Sequence, residues 1–195
     1  MKKLYLLLLT VFSLAAASAQ VQFGVKAGAN FSTFTGDNTD DAKTKVGFNA
    51  GALVALPLFN EFSLQPEVVY SGQGFKVSDQ GISGTFNANY LNVPVLFKYN
   101  NPTGFFLQTG PQIGFLMSAK VKSGGQTEDE KDLFNSTDFS WAFGLGYLVK
   151  SVNVGIDARY NLGLSNIAKD SGDEKVKNSV FQVGLFYLFG GGGSN

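Results

Sequence analysis

Phe139-Ser140-Trp141-Ala142-Phe143-Gly144-Leu145-Gly146-Tyr147 alternates without a break: odd positions hold an aromatic ring or Leu, even ones Ser, Ala or Gly. Successive side chains of a β-strand point to opposite faces. This stretch is therefore a strand with one bulky apolar face and one small face.

The pattern recurs along the chain. Phe23, Val25, Ala27, Ala29 and Phe31 stand opposite Gln22, Gly24, Lys26, Gly28 and Asn30. Val46, Phe48, Ala50, Ala52 and Val54 stand opposite Lys45, Gly47, Asn49 and Gly51. Val152, Val154, Ile156, Ala158, Tyr160 and Leu162 stand opposite Asn153, Gly155, Asp157, Arg159 and Asn161. Segments over 62–71, 91–99, 107–118 and 181–189 read the same way, with Phe186 and Leu188 interrupting the polar face of the last. That makes eight strands. Each runs for about 9–12 residues, against ~5–6 in an ordinary strand, and a tilted strand needs ~9–11 to cross a bilayer. Rings such as Phe23, Phe31, Phe62, Tyr70, Tyr187 and Phe189 lie toward the ends of the apolar faces, where interfacial girdles belong.

The connections alternate in length. Residues 32–44, 76–85, 122–138 and 165–177 are long, polar and charged, whereas 57–61, 100–104 and 149–151 are short and rich in turn formers. Long loops on one side and tight turns on the other describe an antiparallel up-and-down barrel. The expected fold is all-β: an eight-stranded transmembrane β-barrel over residues 20–190, with both termini on the side of the short turns. Closure is required, because an open sheet edge in hydrocarbon leaves backbone N–H and C=O groups unpaired at several kcal/mol each.

The chain opens on Met1-Lys2-Lys3, a run from Leu4 to Ala16 that is apolar except for Thr10 and Ser13, and Ala17-Ser18-Ala19. A positive start, a short apolar run and a small-x-small site make a cleaved signal peptide over 1–19. The run is too short for the ~20 residues of a spanning helix. Residues 191–195 form a Gly-rich tail after Phe189, which ends the last strand as an outer-membrane assembly signal would. These features place the protein in the outer membrane of a Gram-negative cell, exported through the periplasm.

Bulk decides which face is inside. A barrel of eight strands has an interior just wide enough to be filled by side chains. The Gly, Ser, Asn and Gln faces fit that space, and the rings and aliphatics face lipid, with Ala50 and Val154 near the midplane. Lys26, Glu67, Asp157 and Arg159 then point inward, and a charge in a narrow lumen must be paired. We expect an ion-pair network linking Lys26 and Arg159 with Glu67 and Asp157 in a structural plug. Lys98, near the bottom of its strand, meets water or the lower edge of that network.

Composition removes other chemistries. There is no His and no Cys, so His- and Cys-based zinc sites, Ser–His–Asp and Cys–His catalysis, and disulfides are all excluded. Basic and acidic residues balance at 15 each, which leaves no bulk field for nucleic acid. Charged residues are 15% of the chain against ~25% in soluble domains, as suits a surface that faces lipid. Gly110-Pro111-Gln112-Ile113-Gly114 and Gly144-Leu145-Gly146 lie inside strands without the Gly-Lys-Ser/Thr of a phosphate loop. Asp37, Asp40 and Asp41 lack the spacing of a calcium loop. No catalytic, cofactor-binding or metal-binding residue is assigned, and no cofactor is called for.

Four stretches carry a resemblance. They are Phe23-Gly24-Val25-Lys26-Ala27-Gly28-Ala29-Asn30-Phe31-Ser32, Leu64-Gln65-Pro66-Glu67-Val68-Val69-Tyr70-Ser71-Gly72-Gln73-Gly74, Tyr90-Leu91-Asn92-Val93-Pro94-Val95-Leu96-Phe97-Lys98-Tyr99 and Asp157-Ala158-Arg159-Tyr160-Asn161-Leu162-Gly163-Leu164-Ser165-Asn166-Ile167. In this order they resemble the PorT-like family of small outer-membrane β-barrel proteins. The resemblance implies an outer-membrane barrel without catalytic residues.

The function expected from these observations is that of a monomeric, non-enzymatic barrel in outer-membrane lipid, with a plugged polar lumen and a structural or interaction role. Its long loops would meet an extracellular or secretion-complex protein. The alternatives are a narrow pore for small solutes and a subunit of a secretion or adhesion complex.

Overall fold

The computed structural model describes residues 21–37, 42–79, 82–169 and 175–189. The expected signal peptide over 1–19 and the tail over 191–195 lie outside them. The strands are β1 (Gln22–Gly36), β2 (Lys43–Phe59), β3 (Phe62–Asp79), β4 (Ile82–Asn100), β5 (Phe105–Ser123), β6 (Gln126–Asp129), β7 (Thr137–Val149), β8 (Val154–Gly163) and β9 (Val176–Phe189). Each long strand pairs antiparallel with its neighbours, and β1 meets β9 from Phe23↔Phe189 to Gly36↔Val176. That seam and the β4–β5 pairing close a ring of eight strands.

The ring is the architecture read from the sequence, but seven of its eight strands are longer than the spans of period-two alternation, β8 being the exception. β4 and β5 have 19 residues each. At ~3.3 Å per residue and a tilt of ~40°, such strands stand ~45–50 Å tall against an apolar band of ~25 Å. The excess rises on the side of the long connections. Residues 76–85, expected to be a loop, are largely the tops of β3 and β4, paired from Lys76↔Thr85 to Asp79↔Ile82. Residues 122–138 contain the short β6, which folds back on the top of β5 from Lys120↔Asp129 to Ser123↔Gln126. Gly124 and Gly125, with φ of +57° and +80°, form the tight turn between them. Two consecutive residues in the left-handed region define the hairpin turn that favours Gly.

The alternation of faces also changes. Asn89 pairs with Ser118 and Tyr90 with Leu116, so Met117 is an extra residue in β5. This β-bulge swaps the faces of β5: Leu116 and Ala119 are both buried, and Ser118, read from the sequence as lumenal, hydrogen-bonds Asn89 on the outer wall. Val154 is a second correction. It is the first residue of β8 and pairs with Tyr187, which puts it at the turn-side edge of the lipid face rather than the midplane.

Within the belt, alternation decides orientation. Phe23, Phe48, Met117, Phe139, Leu145 and Leu185 are exposed on the outer wall, while Asn30, Asn49, Glu67, Asn92, Asp157 and Arg159 are buried inside. Rings pair along the edges: Phe62 stacks on Phe97 at 5.2 Å, and Phe48 lies 5.2 Å from Tyr70. Gly28 and Gly184 are cross-strand partners at the β1–β9 seam, and a Cβ on Gly28 would lie 2.6 Å from the Gly184 Cα. Glycine there allows the close approach that the narrow ring needs.

Candidate functional site

The lumen is layered. Its middle is charged. Lys26 on β1, Glu67 on β3, and Asp157 and Arg159 on β8 come from different sides of the ring. Their side chains meet because each lies at a lumen-facing position of a strand passing the same narrow space. Arg159 donates Nη1 to Glu67 Oε2 and Nη2 to Glu67 Oε1, both at 2.9 Å, in the two-pronged geometry that suits a guanidinium and a carboxylate. Arg159 Nη2 also lies 3.4 Å from Asp157 Oδ2. Lys26 Nζ lies 3.2 Å from Asp157 Oδ2 and 3.5 Å from Glu67 Oε2. Each cation thus faces both carboxylates, and all four side chains are at most 6% exposed. Charges this far from water persist only when paired and hydrogen-bonded.

Amides extend the cluster. Gln65 donates to Glu67 Oε1 at 2.6 Å, and Gln108 donates to Asp157 Oδ2 at 3.2 Å. Lys98 joins through Gln65, whose Oε1 accepts from Lys98 Nζ at 2.9 Å. It is buried rather than bathed in water, with its ammonium 3.7 Å from the centre of the Phe106 ring. A second hub surrounds Asn30. Its Oδ1 accepts from Asn49 at 2.7 Å and Gln182 at 2.9 Å, while its Nδ2 donates to Ser71 Oγ at 2.9 Å. Higher still, Asp138 accepts from Asn178 and Ser165 at 2.9 and 3.0 Å.

Both ends of this polar stack are apolar. Toward the short turns, Leu53, Phe106, Phe186 and Leu188 pack together, with Leu148 against them. The Phe106 and Phe186 rings fit because Gly146 and Gly155 face them: a Cβ on either glycine would run into the ring opposite. Below this layer a cavity of about 380 Å³ opens at the turn-side mouth, lined by Ser63, Gln65, Lys98 and Phe62 among others. Toward the long connections, Phe34, Phe86, Ala88, Tyr90, Leu116, Ala119 and Ile167 form a buried cluster, flanked by Phe75, Val121, Phe134 and Val176. The lumen read from the sequence as polar throughout is therefore polar in the middle and apolar at both ends. Of the two expectations for Lys98, water or the lower edge of the network, the structure takes the second, through Gln65. What the sequence reading missed were the individual amide contacts and the two apolar caps. The interruptions at Phe186 and Leu188 were the signal for the lower cap.

Among the described residues, no group of three or more Asp, Glu, His or Cys is placed to hold a metal ion. A protein-family description, outer membrane protein beta-barrel domain, matches residues 15–169. The chain belongs to this family. Its place is accordingly the outer membrane, with the belt of exposed rings and aliphatics in lipid. Among solved structures, Neisserial surface protein A is 15% identical, with a TM-score of 0.55 over 86% of this chain and 97% of that one. Ail, the attachment invasion locus protein of Yersinia pestis, is 21% identical, with a TM-score of 0.49 over 86% of this chain and 98% of its own. At 15% identity the likeness to Neisserial surface protein A is one of fold. No curated protein matches the chain.

Proposed function

We propose that this barrel is a PorT-like, non-enzymatic anchor whose lumen is plugged and whose upper strands and loops meet a protein partner outside the cell. The observation that carries the reading is the Arg159–Glu67 pair with Lys26 and Asp157, held mid-lumen between two apolar caps. Side chains reaching inward from β1, β3 and β8 meet across the space a solute would need. The same geometry speaks against catalysis, since Glu67 and Asp157 are both engaged by cations and turned away from solvent. The strand tops that outreach the bilayer give a partner a rigid surface to dock on.

Planar-bilayer recording tests the plug. Purified wild-type protein should give no stable large single-channel steps. Frequent steps of constant size would replace the anchor with the narrow pore. Removal of residues 1–19 belongs to the same proposal, and mass spectrometry of the protein taken from outer membranes should find a chain starting at Gln20. Monomeric behaviour would appear as a single particle mass in detergent, with any secretion or adhesion partner recovered by co-purification.

A further inference from the structure

Above the lipid belt the outer wall of one side of the barrel is basic. Register places Lys43 of β2 opposite Lys76 of β3, Lys76 opposite Thr85 of β4, and Thr85 opposite Lys122 of β5. Direct cross-strand partners share a face, so these side chains form one row. It is the outer face, because the neighbouring Phe75, Phe86 and Val121 pack into the upper cap inside. Lys120 joins one step lower, opposite Asn87. The bulge at Met117 brings Lys120 and Lys122 outward, since without it β5 would keep its lower register of faces and turn them into the lumen.

The row continues the lipid contact. On their own strands Lys43 stands three residues past the exposed Val46, and Lys120 three past the exposed Met117. That is a rise of about 10 Å along the strand, within reach of a long flexible side chain bending toward the bilayer surface. All four lysines are exposed, and none is in an ion pair among the described residues. Lys120 faces Asp129 across β5 and β6 in register, the one acidic cross-strand partner of the row among the described residues. Two like charges directly opposite, as at Lys43 and Lys76, oppose strand pairing unless an anion lies between them. A membrane surface supplies such anions in its headgroups.

We infer that Lys43, Lys76, Lys120 and Lys122 form a docking site for net-anionic, phosphomonoester-bearing lipid headgroups of the outer leaflet, fastening the β2–β5 side of the barrel to the membrane surface. The site rests on the outer-membrane placement and is independent of the plugged lumen.

The test compares thermal unfolding, followed by Trp141 fluorescence, in phosphatidylcholine vesicles containing either monophosphoryl lipid A or the same lipid with its phosphate removed. Wild type should unfold at a higher temperature with the phosphorylated lipid. The variant Lys43→Gln/Lys76→Gln/Lys120→Gln/Lys122→Gln should lose more than half of that difference. Lys131→Gln/Lys169→Gln, outside the row, should keep it. Should the fourfold variant fail to insert, Lys120→Gln/Lys122→Gln is measured instead and should lose a clear part of the shift. Equal midpoints for wild type in the two vesicle types, or an undiminished shift in the row variants, would overturn the inference. A comparable rise from inorganic phosphate in plain phosphatidylcholine vesicles would also overturn it, assigning the row to free anions.

Discussion

Arg159 and Glu67 meet through two parallel hydrogen bonds and have no bulk water to turn to. Removing one partner from a buried pair leaves a bare charge, at a cost of about 3–5 kcal/mol. Glu67→Ala should therefore lower unfolding stability by about that much in a urea titration in detergent, and Glu67→Ala/Arg159→Met should recover part of it. A double variant no better than the single one would mean that the pair is not coupled. On the outer wall, position along the strand sets the expectation. Leu145→Arg, mid-strand and lipid-facing, should cost about 2–4 kcal/mol, and Val154→Arg, at the first residue of β8, about 0–1 kcal/mol. Equal losses at the two sites in a refolding titration would contradict the placement of the belt. Alternation assigned Lys26, Glu67, Asp157 and Arg159 to the lumen, since period two needs only neighbours in sequence. It was silent on which cation would take which carboxylate, because that depends on side-chain reach across the ring.

Strands show where local pattern stops being sufficient. β5 reads cleanly up to Phe115, and then Met117 is added without any Gly or Pro to mark the bulge. The structure takes the extra residue because it lets Leu116 and Ala119 both reach the upper apolar cap. The tops of β3 and β4 read as a polar loop because their outer face is polar, like any water-exposed strand. Their inner face, with Phe75, Phe86, Ala88 and Tyr90, is held by Phe34 of β1 and Phe134 before β7. Phe86→Ala, at a site 4% exposed, should cost about 3–5 kcal/mol. The loss should be local: hydrogen exchange should quicken at the tops of β1, β4 and β5 while amides beside Arg159 stay protected. Uniform quickening would show that cap and belt unfold as one unit. At the other end, Gly155→Val places a side chain against the Phe186 ring, and its overpacking should cost about 1–3 kcal/mol in the same titration.

For the whole molecule, the polar middle and apolar ends make a closed vertical stack inside a lipid-coated wall. In bilayer recordings we expect opening to need more than one breach. Glu67→Ala/Arg159→Ala should stay silent while Phe86, Tyr90, Phe106 and Phe186 keep the ends sealed. Discrete steps from that variant alone would show that the charged layer is the sole barrier. Sequence alone established the strand count, the up-and-down order, the lipid-facing side and the inward charges. Each of these follows from period two, from bulk, and from the cost of unpaired backbone in hydrocarbon, quantities that a linear reading contains. Tertiary structure alone decided the height of the barrel, the bulge at Met117, the two apolar caps and the partners of Arg159. Those depend on packing between residues far apart in the chain, where a polar-looking segment becomes a strand because its hidden face finds rings on the opposite wall.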